Sequence, residues 1–146
     1  MYKKIMSATM AMQLKRIQQI AVVTFVVMLL HTAEEFATKI WMADPFMVYV
    51  SRYFNVSGIV VYEVIQTFAL VIILLVFLHS LSSKTFNSLL AALLGFIFVL
   101  ELLHPINSIL IRGYYPGLYT GTILVIISLF YFREVFTFIA KKKSNP

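Results

Sequence analysis

Polar residues in this chain fall into short groups that separate long apolar runs. The runs cover approximately residues 17–38, 58–78, 86–111 and 115–139. They are continuous rather than alternating, which favours helices over barrel strands. Each reaches the ~20 residues that a helix needs to cross the ~30 Å hydrocarbon layer. The pattern therefore predicts an all-α polytopic membrane protein, a bundle of four transmembrane helices in one domain spanning residues 1–146. Between the first two runs, Asp44-Pro45 has the residue types of an N-cap and first helical position. Phe46, Tyr49, Val50 and Tyr53 follow at helical spacing, which predicts a short outer helix in the membrane interface.

Composition narrows the class further. Hydrophobic residues make up 61% and charged residues 12%, with a mean hydropathy of +0.91. Too few polar side chains are present to cover a soluble domain of 146 residues. A disordered chain would be polar and charged. The absence of cysteine excludes disulfides, thiolate-bound metal and thiol nucleophiles. Nine of the lysines and arginines (Lys3, Lys4, Lys15, Arg16, Lys84, Arg133, Lys141, Lys142 and Lys143) fall on one side of a four-span topology. Lys39, Arg52 and Arg112 fall on the other. The bias predicts a multi-pass protein of the cell membrane with both termini cytoplasmic. The net charge of +6 then reflects topology and attraction to the lipid bilayer. No nucleic-acid partner is expected, because the charge is split over two tails without interleaved aromatics. The N-terminus has the lysines and apolar core of a signal peptide without a small-residue cleavage site, so an uncleaved first span is expected.

The few remaining charges carry the chemistry. Glu34, Glu35, Glu63 and Glu101 stand inside the spans with His31 and His104. On insertion scales each charge at a helix centre costs about 2.5–3.5 kcal/mol. At 1.5 Å per residue, His31 and His104 lie about 10 Å below the outer ends of their spans. Glu34 lies about 6 Å down, Glu63 about 7–8 Å and Glu101 about 15 Å. The groups are thus expected to converge in the outer half of the bilayer. Glu101 and His104 share one helix stripe, which Ser108 continues. Pro105 leaves the Glu101 carbonyl without its helical partner, so the third span is expected to be kinked or opened there. At the head of the fourth span, Pro116 suits the first helical position, and the free N–H groups there could hold an anion or a carboxylate. Tyr114 and Thr120 add hydroxyl donors.

His31-Thr32-Ala33-Glu34-Glu35 fits H-x-x-E-E, and Tyr114 to Thr120 fits Y-x-P-G-x-x-T. With both motifs in this order on a short multi-span chain, the sequence resembles the HXXEE-domain family of small membrane proteins. That family's pattern also contains N-x-x-x-H. His104 supplies the histidine here, whereas Leu100 stands in the asparagine position. The resemblance implies a membrane-embedded site of enzymatic type and names no reaction.

The leading functional reading is an intramembrane metal-dependent enzyme, with hydrolysis as the candidate reaction. His/carboxylate sets on neighbouring helices are how bundle metal centres are built. His31, Glu34, Glu101 and His104 form the expected metal set, holding zinc, iron or manganese. Glu35, Glu63, Tyr114 and Thr120 are the expected catalytic groups, acting on a lipid-like or lipid-linked substrate. The alternatives are a proton-coupled transporter or channel component, and a non-enzymatic membrane subunit. Four spans are few for transport, so that alternative calls for a homo-oligomer.

Overall fold

A computed structural model describes residues 2–82 and 88–143, with side chains over 10–79 and 88–141. Lys84 lies outside the described residues, as do the side chains of Lys3, Lys4, Lys142 and Lys143. The elements are α1 (Tyr2–Ala37), α2 (Ile40–Ala43), α3 (Pro45–Phe54), α4 (Gly58–Ser82), α5 (Ser88–Glu101), α6 (Leu103–Ile111) and α7 (Leu118–Lys143). No strand occurs among the described residues. Four helical segments are long and apolar enough to cross a membrane: Met10–Ala37, Gly58–His79, Ser88–Ile111 and Leu118–Lys141.

The interior follows a spacing of alternating threes and fours, the period of a helix–helix seam. On α1 the buried positions include Ile17, Ala21, Thr24, Met28, His31 and Glu35. On α7 they are Gly121, Leu124, Ser128, Tyr131, Val135 and Phe138. On α5 Leu90, Leu94, Ile97 and Glu101 are buried, and Ser108 is buried on α6. α1 and α7 share the most extensive interface, and α5 packs on α7. The lower part of this seam is an apolar core, with Leu124 fully buried and Phe98 stacked at a tilt on Tyr131. The upper part carries ionisable groups at the same seam positions. Large apolar residues such as Val23, Leu30, Phe68 and Leu129 point outward, where a bilayer would solvate them.

Two breaks shape the upper end. Helical assignment stops at Leu102, between Glu101 and His104, beside the expected weak point at Pro105. The residue order Asp44-Pro45 does start α3, and the Asp44 side chain accepts a hydrogen bond from the Met47 N–H at 2.9 Å. The second carboxylate oxygen of Asp44 accepts from the Tyr115 hydroxyl at 3.0 Å. Tyr115 also donates its backbone N–H to Ser108 Oγ at 2.9 Å. Together with Ile40 and Tyr62 it forms a second buried cluster, so α2 and α3 are tied across the upper end of the bundle. One boundary differs from expectation. Pro116 is not the first helical residue, because Gly117 takes a φ of +83° and α7 begins only at Leu118.

Candidate metal centre

The centre grows from four side chains on the seam. His31 and Glu35 are one turn apart on α1, while Glu101 ends α5 and His104 opens α6 after the Leu102 break. His31 Nε2 lies 3.3 Å from Glu35 Oε1 and 3.2 Å from Glu101 Oε2. His104 Nε2 lies 3.7 Å and 3.8 Å from the same two oxygens. The two imidazole rings meet edge to face, 4.7 Å between centroids. His31, Glu35 and Glu101 are buried, at 5%, 4% and 7% exposure, so the group is screened from solvent.

The other ring nitrogens fix the tautomers. His104 Nδ1 sits 2.6 Å from the Pro116 carbonyl, which can only accept, so this nitrogen carries the hydrogen. His31 Nδ1 sits 2.8 Å from Thr120 Oγ1. The Thr120 hydroxyl donates to Glu34 Oε2 at 2.5 Å, so its oxygen accepts from His31. As neutral imidazoles, both histidines therefore turn an Nε2 lone pair toward the same two carboxylates. Glu35 is oriented in the same way. Its Oε2 accepts from Gln66 Nε2 at 2.7 Å and lies 3.3 Å from the Tyr62 hydroxyl, whose one hydrogen is shared with the Thr32 carbonyl at 2.9 Å, which leaves Oε1 facing the rings.

Backbone space completes the arrangement. A Cβ on Gly117 would stand 2.6 Å from His104 Nδ1 and from His31 Cε1, and a Cβ on Gly121 would stand 3.3 Å from Glu101 Oε2. Only glycine lets the start of α7 approach the imidazoles this closely.

The expected convergence is met by five of the six groups. His31, Glu35, Glu101 and His104 form the inner cluster. Glu34 joins from outside as the carboxylate that fills the helix start. It accepts from Thr120 N at 2.9 Å, Tyr119 N at 3.2 Å and the Tyr114 hydroxyl at 2.6 Å. Tyr114 is 41% exposed and marks the solvent end. Glu63 does not converge, because it lies on the outward face of α4 while its neighbours Tyr62 and Gln66 face Glu35. The sequence signal for that second pair was the i, i+4 spacing of Tyr62 and Gln66 within an apolar helix.

A metal fits these residues. His31, Glu35 and His104 each offer one ligand atom, all within 4.8 Å of one another. Glu101 Oε2 is buried beside them and has no hydrogen-bond partner. Such an atom in a buried site calls for a proton or a cation. The nitrogens left for a metal are both Nε2, and each Nδ1–H is anchored, as metal-bound histidines require.

The sequence profile of a family described as "protein of unknown function with HXXEE motif" matches residues 22–132. The chain belongs to the HXXEE family. No curated protein and no solved structure matches it. In this HXXEE protein the two motifs are halves of one structure: the first supplies His31, Glu34 and Glu35. The second supplies Tyr114 and Thr120 for Glu34, the Pro116 carbonyl for His104 and the space at Gly117. Leu100 is 43% exposed, so the partner of His104 is the Pro116 carbonyl and not a side chain one turn back.

Proposed function

We propose that this protein is an intramembrane metal-dependent enzyme whose divalent cation is held by His31, Glu35 and His104. The observation that carries the reading is the convergence of two Nε2 atoms on the same two carboxylate oxygens, with each Nδ1 engaged elsewhere. Two histidines and one glutamate are the ligand set of hydrolytic zinc sites that keep one position open. Iron and manganese also suit imidazole and carboxylate donors.

When bound, the metal supplies Lewis-acid polarisation and lowers the pKa of water. The chain's own residues do the rest. Glu101, whose buried Oε2 stands beside both histidines with no hydrogen bond to hold it, takes and returns the proton. Thr120 and Glu34 hold His31 in its tautomer, and the Pro116 carbonyl does so for His104. Tyr62 and Gln66 keep Glu35 presenting one oxygen. Glu34 is thereby a positioning residue rather than a ligand. Tyr114 stands at the exposed end, where its hydroxyl donates to Glu34 and its oxygen is left to accept from the head of a lipid-like or lipid-linked substrate. The charge bias in the loops supports cytoplasmic termini, and with them a centre in the outer half of the cell membrane.

Elemental analysis of detergent-purified protein tests the reading. Wild type is expected to retain about one zinc, iron or manganese ion per chain. Glu35→Ala and His104→Ala are expected to lose it, and Glu34→Gln to keep it with weakened affinity. Folded wild-type protein that stays metal-free after incubation with each ion would overturn the proposal.

A further inference from the structure

Glu63 takes no part in the centre, and its surroundings suit a different ligand. It lies on the exposed face of α4, and no hydrogen bond or ion pair reaches it among the described residues. With Val64 and Phe68 it lines an open hollow of about 410 Å³. The same two residues line a second, wholly apolar hollow of about 430 Å³ between α4 and α5, whose far wall runs from Leu100 to Leu93. The two hollows meet along Val64 and Phe68, so the apolar groove has a single charged residue, Glu63, beside its head.

Its dimensions match one lipid chain. The α4 wall runs from Val64 to Ile73, about 14 Å at the helical rise. Half of a ~30 Å hydrocarbon layer is about 15 Å. Val64, Phe68 and Phe96 are 64%, 69% and 61% exposed, so the groove opens sideways to the bilayer rather than to water. Helical side chains lean toward the N-terminus of their helix, so Glu63 leans toward Gly58 and the headgroup layer. A lone carboxylate facing lipid is expensive unless it meets a cation.

We propose that this groove binds one membrane lipid with an ammonium headgroup, its ammonium on Glu63 and one acyl chain along α4 and α5. Binding is independent of the metal centre, which lies on the other side of α4. The test is native mass spectrometry of the full-length protein in detergent. It is offered equal amounts of phosphatidylethanolamine and phosphatidylglycerol with identical chains. Wild type is expected to retain the ethanolamine lipid about fivefold over the glycerol lipid, the scale of one exposed charge pair. Glu63→Gln is expected to bring the ratio to about one, and Leu100→Trp, which fills the groove mouth, to reduce retention of both. Equal retention by wild type, an unchanged ratio in Glu63→Gln, or undiminished binding in Leu100→Trp would each overturn the proposal. Metal content is expected to be the same in Glu63→Gln as in wild type.

Discussion

Thr120 determines which nitrogen of His31 is free. Its hydroxyl spends its hydrogen on Glu34, so it can only accept from His31 Nδ1. Thr120→Val is expected to weaken metal binding by about 10–100-fold, the usual effect of losing an anchoring partner. Thr120→Ser is expected to restore most of it, and competition with a chromogenic chelator reads both. Gly117→Ala addresses space rather than hydrogen bonding. A methyl group there meets both imidazoles at 2.6 Å, on a backbone of φ +83°. The substitution is expected to abolish metal binding and lower stability by about 1–3 kcal/mol, measured as a fall in Tm. At this scale the sequence was legible in kind but not in detail. H-x-x-E-E marks an ionisable stripe, yet adjacent glutamates lie 100° apart on a helix and either can face inward. Continuing the seam through Ile17, Ala21, Thr24, Met28 and His31 selects Glu35, which leaves Glu34 to the start of α7.

Among the elements, the short α3 was readable because its start is written in local chemistry, Asp44 as cap and Pro45 after it. What local chemistry could not reveal is that Asp44 has a second partner far along the chain. Its bond to Tyr115 joins α3 to the turn before α7 and so braces the roof of the centre. Burial, and then the Asp44 carboxylate, push the Tyr115 phenol well above the usual tyrosine range. The folded state thus favours the neutral phenol. The stability this contributes is fully present below about pH 10, the unfolded value, and is lost as pH rises toward the folded one. Thermal unfolding between pH 8 and pH 11 is expected to show a steeper alkaline decline in wild type than in Tyr115→Phe. Identical slopes would contradict the role given to this contact. The late start of α7 has a similar cause. Pro116 fits a first helical turn by itself, but its carbonyl is drawn to His104, and Gly117 must turn through positive φ before the helix begins.

For the whole molecule, hydropathy was enough to reveal four helices of membrane-spanning length, since each is apolar on nearly all faces. That same uniformity hides which face is inside. Val23 and Leu30 are as apolar as the core yet point outward, so the few polar and small residues on the seam carry the packing information. Glu63 shows the limit of depth as a guide, because it shares the level of the cluster but not its side of α4. The topology has its own test. Cysteines placed at Arg52 and Arg112 in intact cells are expected to react with an impermeant maleimide from outside, and labelling only after lysis would reverse the orientation. The central claim is the ligand set, and X-ray absorption at the edge of the bound metal examines it most directly. The expected spectrum shows two imidazole nitrogens with the remaining ligands oxygen, at about 2.0–2.2 Å for zinc, falling to one imidazole when His104→Ala, which loses its metal on purification, is reloaded with excess metal. A spectrum from stoichiometrically loaded wild type that lacks imidazole scattering, or that is unchanged in His104→Ala, would contradict the account.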